Sequence, residues 1–329
     1  MKKLIVVIII FTFGSELLKA QDVHFSQFFN VPVFFNPAMT GNFDGSFRAT
    51  AIYRNQWPGP INGRTSFSTP GLSADAPIRL KNSDMIGVGA YFVNDRSAGA
   101  NLKRVNFMAS VAYHKVIAKN HALSFGLQGG YLQYSLQDIK FGDQYDELNN
   151  FVGGGADQGL AGNAANFDLN IGIAWNSRLS EDLRFSFGVA AFHILEPEIS
   201  FSDQSRAGNV PRRYNANLSF DWRLNDKISL LPAYLYMHQA KASQHNFGLA
   251  SAINLKEKTE LLLGAFYRVK DAVIPYVGLQ YHSFKLGLSY DVNASTLNAT
   301  NGAAELSLTY TAPYVPVPEV DPSLYCPRF

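Results

Sequence analysis

Residues 284–292 read FKLGLSYDV. Successive side chains of an extended strand point to opposite faces. Phe284, Leu286, Leu288, Tyr290 and Val292 therefore share one face, and Lys285, Gly287, Ser289 and Asp291 share the other. The same two-faced pattern recurs upstream. Over 214–223, Tyr214, Ala216, Leu218, Phe220 and Trp222 oppose Asn215, Asn217, Ser219, Asp221 and Arg223. Over 167–176, Phe167, Leu169, Ile171, Ile173 and Trp175 oppose Asp168, Asn170, Gly172, Ala174 and Asn176. Each segment reads as a strand with one apolar and one polar side.

From residue 46 onward the chain divides into fourteen such segments, near 46–54, 64–76, 84–94, 104–117, 121–137, 166–178, 182–194, 212–223, 226–238, 243–254, 258–268, 272–281, 283–292 and 301–312. Strands of soluble sandwiches average about 5 to 6 residues. These are nearly twice as long, matching the roughly 9 to 11 residues with which a tilted strand crosses a bilayer. The apolar faces carry aromatics suited to interfacial girdles: Tyr53, Phe92, Tyr113, Trp175, Trp222, Tyr267, Tyr281 and Tyr310. The opposite faces are rich in Gly, Ser, Asn and Arg, which suits a polar lumen. The connections alternate too. Brief turns such as 118–120, 179–181, 224–225 and His282 fall on one rim, and the long 138–165 and 195–211 on the other. An even strand number with short periplasmic turns and long external loops is the outer-membrane arrangement. The expected fold is all-β, a 14-stranded antiparallel transmembrane β-barrel.

Residues 1–20, MKKLIVVIIIFTFGSELLKA, have the layout of a secretory signal peptide cleaved near Ala20. Lys2 and Lys3 precede an apolar run, Leu4 to Phe13, that is too short to span a bilayer. The chain is thus expected in the cell outer membrane. Charged residues make up 16% of it, below the roughly 25% of soluble domains. The net charge of +2 offers no nucleic-acid signal. Cys326 is the only cysteine, so no internal disulfide framework is possible.

Chemistry-bearing clusters are sparse. His114, His193 and His238 fall near predicted strand ends, yet no GxSxG-type elbow or triad spacing accompanies them. No catalytic residue, cofactor or small-molecule substrate is expected. Asp143, Asp146, Glu147, Asn149 and Asn150 in the longest loop have oxygens a calcium ion accepts, but a solvated acidic loop explains them equally, and no metal site is assigned. Arg48, Arg54, Arg184, Arg223 and Arg268 fall on inward faces. They fit either a porin constriction or pairing with carboxylates such as Asp168 and Asp221 across a filled lumen, and the sequence leaves both open.

Two extensions flank the barrel region, 46–312: an aromatic-rich stretch at 21–45 and PYVPVPEVDPSLYCPRF at 313–329. A plain porin needs neither. Both are expected on the periplasmic side, as a plug or docking segments. In the tail, Pro313, Pro316, Pro318 and Pro322 exclude a central strand.

Four blocks carry a family resemblance. DVHFSQFFNVPVFFNPAMTG at 22–41 resembles the opening of mature PorP/SprF proteins, with their Asp-x-x-Phe-Ser-Gln and Asn-Pro-Ala-x-x-Gly segments. YRNQWP at 53–58 is similar to a family block at the first hairpin. NDRSAG at 94–99 is similar to a family turn, although Ser97 stands where Arg-Ala usually run together. CPRF at 326–329 is similar to an ending common among gliding-type members.

The resemblance implies a non-enzymatic outer-membrane barrel of the type IX secretion system of Bacteroidetes. Such a barrel engages the C-terminal domain of a large secreted surface adhesin, or else serves the periplasmic core complex. The expected partners are type IX components, a large surface protein and outer-membrane lipid. Candidate partner-contacting residues follow from chemistry. Phe25, Phe28, Phe29 and Phe34 are expected to pack into the periplasmic mouth, with Asn36 and Pro37 shaping the turn into the first strand. Arg54, Asn55, Gln56 and Trp57 are placed at the first external hairpin, and Asp143, Asp146, Arg206, Arg212 and Arg213 on the long loops, where a charged cargo surface would bind. Cys326, Pro327, Arg328 and Phe329 close a docking or plugging peptide, with Cys326 as a packed small hydrophobe.

Overall fold

The structure, a computed structural model, describes residues 22–57, 67–80, 83–97, 102–136, 162–200, 208–294 and 301–313. Fourteen strands form one closed antiparallel barrel. They are β1 (Phe47–Gln56), β2 (Phe67–Arg79), β3 (Met85–Ser97), β4 (Leu102–Ala118), β5 (His121–Leu136), β6 (Gly162–Arg178), β7 (Leu183–Phe192), β10 (Arg213–Arg223), β11 (Ile228–Gln239), β12 (Ala242–Lys256), β13 (Thr259–Arg268), β14 (Ala272–Tyr281), β15 (Phe284–Asn293) and β16 (Ala303–Ala312). Two-residue strands β8 (Glu198–Ile199) and β9 (Gly208–Asn209) pair separately, in the connection between β7 and β10. The ring closes where β1 pairs with β16, from Phe47↔Ala312 to Gln56↔Ala303.

Alternation decides which face meets lipid. Along β15, Leu288 is 51% exposed and its neighbour Ser289 only 2%. The whole apolar set of that strand, Phe284, Leu286, Leu288, Tyr290 and Val292, is exposed. In a soluble protein so continuous an apolar exterior would aggregate; around a barrel it is the surface the bilayer solvates. No helix of the described residues is long and apolar enough to cross a membrane, so the crossing elements are the strands. Pro232, in the middle of β11, lacks the N–H a central ladder needs. The β10–β11 ladder accordingly skips from Ser219↔Ala233 to Trp222↔Leu230.

The rim where β1 starts carries short connections, 119–120, 179–182, 224–227, 257–258 and 282–283. The opposite rim carries 137–161 and 193–212. By the usual orientation the short-turn rim is periplasmic and the long-loop rim external.

Residues 22–46 do not hang below the short-turn rim; they run through the lumen. A 3-10 turn (Phe28–Asn30), one α-helical turn (Pro32–Phe35) and a second 3-10 turn (Pro37–Met39) compact the segment. Pro32 and Pro37 open their turns, where a missing N–H costs nothing. From Asp22, near the long-loop rim, the segment descends and enters β1 at the other end.

Candidate functional site

The luminal segment is held at three levels, each by a different kind of interaction. At the lowest, shape decides. A Cβ on Gly126 would lie 2.2 Å from Ala38 N, and one on Gly87 would lie 1.9 Å from Thr40 O. Only a strand residue without a side chain permits so close a backbone approach. Asn36 locks the turn above this seat. Its Oδ1 accepts from Ala38 N at 2.9 Å, and its Nδ2 donates to Ile173 O and Asn217 Oδ1, both at 3.2 Å. His114 Nε2 meets Thr40 O at 2.8 Å, while its Nδ1 meets Ser124 Oγ at 2.7 Å. Gly41, at φ +72°, donates its N–H to Asp75 Oδ2 at 2.7 Å, and Arg48 grips Asp75 through two bonds.

The middle level is aromatic. Phe34 packs edge-on to Phe25, Phe35 and Tyr91 with centroids 5.1 to 5.3 Å apart, and Phe29 stacks on Phe266 of β13 at 4.9 Å. These rings are buried. Burying a large apolar side chain stabilises by about 1.5–3 kcal/mol, and edge-to-face pairs add to that.

The upper level is ionic and has two parts. Ser26 N–H and Gln27 N–H donate to the two oxygens of Glu305 at 2.7 and 2.9 Å. Ser26 Oγ donates to Asp291, and Arg54 bridges Asp291 and Glu305 at 2.9 and 2.6 Å. Arg268 adds a bond to Asp291 at 2.5 Å and pairs with Asp271. Nearer the long-loop rim, Asp22 binds Arg104 at 2.6 Å, Arg213 at 2.9 Å and His193 Nε2 at 2.6 Å. His193 Nδ1 meets Asp168 at 2.6 Å, and Asp22 N–H donates to Gln239 at 2.7 Å. Asp22 and His193 both lie outside the strands. Burial pushes the Asp22 carboxyl up, but Arg104, His193 and Arg213 outweigh it and hold the group well below the usual carboxylate range. Burial pushes the His193 imidazole down, and Asp22 with Asp168 outweighs it and raises it. A buried carboxylate among two guanidiniums and an imidazole is a matched cluster whose members depend on one another.

Below this column, at the short-turn rim, lies a cavity of about 450 Å³. Phe29, Pro32 and Phe43 of the luminal segment form its floor, with Arg178, Arg184 and Lys285 on its walls.

Several expected positions are corrected. Phe25, Phe28, Phe29 and Phe34 do not pack at the periplasmic mouth: they form the aromatic level inside the lumen, and of the four only Phe29 reaches the short-turn cavity. Asn36 and Pro37 do not shape the entry to β1; they dock on β5 to β7, and Gly41–Ser46 make the entry. The reason is direction, since the segment runs down the lumen from Asp22 at the long-loop rim to the start of β1. Arg54 is not part of the external hairpin but a buried ion-pair partner, because alternation in β1 points it inward. Asn55, Gln56 and Trp57 do lie at the long-loop rim, half-buried, with Trp57 edge-on to Phe67 at 5.4 Å. Arg213 opens β10 pointing inward to Asp22 and does not face a partner. Arg212 is exposed and reaches Glu196 at 3.6 Å. Asp143, Asp146, Arg206 and the tail residues Cys326, Pro327, Arg328 and Phe329 lie outside the described residues.

Of the five arginines expected to face inward, three are paired inside the lumen, Arg48 with Asp75 and both Arg54 and Arg268 with Asp291; Arg223 binds Asp182 in an exposed pair, and Arg184 lines the short-turn cavity. Asp168 serves His193 instead of an arginine. Sequence reasoning missed Asp22, Ser26, Gln27 and Glu305 as anchors. Among the described residues no group of three His, Cys, Asp or Glu is placed to hold a metal ion.

A family model described as "Type IX secretion system membrane protein PorP/SprF" matches residues 17–310. The chain belongs to the PorP/SprF family. A PorP/SprF protein with this barrel is an outer-membrane component of type IX secretion, and neither family nor fold indicates an enzyme. The described levels thus place the family's opening block, 22–41, inside its own barrel. No curated protein matches the chain in sequence. Similar solved structures include a deltaS2 mutant of the TodX monoaromatic hydrocarbon channel, at 8% identity and TM-score 0.53, over 87% of this chain and 94% of that one. The CymD monoaromatic hydrocarbon channel is similar at 10% identity and TM-score 0.51, over 87% and 93%. A Pseudomonas aeruginosa FadL homologue is similar at 10% and 0.51, over 86% and 94%. At such identities the likeness is one of fold.

Proposed function

We propose that this PorP/SprF protein is a non-enzymatic docking barrel that binds the C-terminal domain of a secreted surface adhesin at its long-loop rim, for secretion or surface attachment. The observation that supports it is the three-level occupation of the lumen by residues 22–43. A barrel filled along its axis by buried rings and ion pairs has little room to pass a solute, so its work falls to its rims. That also weighs against the diffusion-porin alternative. The external rim combines long connections, including 137–161, with exposed Arg212 and half-buried Trp57, a mix of charge and aromatic surface that suits protein partners.

A second reading, attachment to the periplasmic type IX core, draws support from the 450 Å³ cavity at the short-turn rim, whose lining carries both signs of charge, Arg178, Arg184 and Lys285 with Glu181, Asp182 and Asp221. One experiment separates the readings. The protein is affinity-captured from native membranes after cross-linking. Recovery of one large surface protein through its C-terminal domain supports docking of cargo. Recovery of periplasmic core proteins alone supports the second reading. Recovery of neither, together with large steady conductance in planar bilayers, overturns both in favour of a porin.

A further inference from the structure

The outer face of β10 to β14 differs from the rest of the barrel exterior near the long-loop rim. Tyr234, Tyr236 and His238 of β11 alternate with buried residues, so they face outward, and Ser243, His245 and Phe247 stand opposite them on β12. Tyr234 Oη lies 2.9 Å from His245 Nδ1, and His238 Nδ1 lies 2.8 Å from Ser243 Oγ. The rings of Tyr236 and His245 are 5.0 Å apart. Two exposed lysines flank the cluster. Lys241 is in the β11–β12 turn, and Lys270 is in the β13–β14 turn, which Val269 N–H ties to His245 O at 2.9 Å.

This placement is selective. Of the seven histidines, His24, His114 and His193 are inside the barrel and His121 and His282 are at the short-turn rim. Only His238 and His245 face outward near the long-loop rim. At about 3.3 Å per residue both lie within roughly 15 Å of the hairpin tip, the height of outer-leaflet head groups. Tyr234 Oη engages His245 at Nδ1, so Nε2 is the ring nitrogen left to meet a group outside the protein.

A second observation lies directly beneath. An apolar groove of about 570 Å³ runs down the same outward face. Leu218, Phe220, Leu249 and Val273 line it, with Ala265 at its base and Tyr234 at its upper end, and it overlies the stretch where Pro232 interrupts the β10–β11 ladder. Donors and ammonium groups stand at head-group height, and the apolar trough continues toward the bilayer interior. A phosphorylated amphiphile has that shape.

We propose that this face is a specific binding site for a phosphorylated glycolipid of the lipid A type from the outer leaflet. His238, His245, Lys241 and Lys270 take the phosphate, and the groove takes an acyl chain. The site depends only on the outer-membrane location and stands whether or not cargo docks at the rim.

The test uses the full-length protein in detergent, with native mass spectrometry counting retained lipid. The probes are bis-phosphorylated lipid A, its dephosphorylated form, and inorganic phosphate as competitor. The phosphorylated form is expected to be retained about ten-fold more strongly, and each lysine replaced by alanine to cost about five-fold, the usual worth of one basic residue at an anionic surface. The quadruple variant H238A/K241A/H245A/K270A is expected to lose the phosphate preference. Ala265→Phe, which fills the groove and leaves the cluster intact, is expected to weaken retention of both forms. Equal retention of the two lipids by the native protein overturns the proposal, as does an unchanged preference in the quadruple variant. Displacement of the lipid by millimolar inorganic phosphate overturns the lipid assignment in favour of a free-anion site. If the quadruple variant fails to fold, as judged by heat-dependent gel mobility, Ala265→Phe and the single-lysine variants carry the test alone.

Discussion

Asp22 and Arg104 lie 82 positions apart in the chain and 2.6 Å apart in the lumen. That contact fixes the upper end of the luminal segment to the barrel wall. Asp22→Ala removes the shared partner of Arg104, Arg213 and His193 and strands their charge in a buried site. Breaking such a pair from one side costs about 3–5 kcal/mol. The expected outcome is a clear drop in thermal unfolding temperature by circular dichroism, with faster hydrogen exchange over residues 22–30. An unchanged exchange rate there would show that the aromatic level alone holds the segment.

The same cluster predicts a pH dependence. His193 has a raised folded-state value, so its contribution is complete below the ordinary histidine value of about 6.5 and is lost as pH rises through the raised one. Asp22 has a depressed value, so its contribution is complete above about pH 4 and is lost as pH falls through the depressed one. Anchoring is therefore strongest between about pH 4 and 6.5. Exchange over residues 22–30 is expected to accelerate as pH rises above that window, after correction for intrinsic exchange. His193→Gln is expected to flatten the alkaline side of the curve and leave the acid side in place.

Gly126→Val places branched carbons where Ala38 N already stands within 2.2 Å of a Cβ. The barrel wall cannot move away without breaking its ladders, so the segment must shift. A loss of at least about 3 kcal/mol, in line with severe overpacking, is expected, with a rise in planar-bilayer conductance as the lumen opens. Gly208→Val is the matched control, since nothing lies within 4 Å of its Cβ position, and a change within about 0.5 kcal/mol is expected there.

Arg212 and Trp57 test the cargo rim. Arg212→Glu leaves the buried clusters alone, so stability is expected to change by no more than about 0.5 kcal/mol. Capture of the adhesin C-terminal domain is expected to slow several-fold, most visibly at low salt, as for a charge at an interface edge. Trp57→Ala is expected to weaken capture by accelerating dissociation. Association kinetics measured at two ionic strengths distinguish the two effects, and identical kinetics for both variants and the native protein sink the rim assignment.

The fourteen strands were legible because their signal is dense. Every second residue of FKLGLSYDV votes for the same face, and the observed strand, Phe284–Asn293, differs from the expected 283–292 by one residue at each end. Inward arginines were legible for the same reason. What the pattern could not reveal was the partner of each. Arg54 meets Glu305 across the whole length of the chain, and no local periodicity encodes such a pairing. The route of residues 22–46 was hidden more deeply. The segment has no period, and its phenylalanines suit a mouth, a partner groove or a lumen equally. The available clue lay in the wall: Gly126 and Gly172 at inward positions of adjacent strands, where bare backbone signals that something approaches closely.

One feature of the ion clusters bears on how the molecule is made. Arg54 and Glu305 face each other across the β1–β16 seam, the last junction to form when the sheet becomes a ring. Glu305 also receives the amides of Ser26 and Gln27, a contact spanning 279 residues of chain. The earliest-synthesised part of the described chain thus waits on the latest strand, and that strand finds its carboxylate fully matched only when residues 22–30 are in place. Because the seam and the luminal segment share this carboxylate, a barrel assembled without that segment would be expected to open along the seam first.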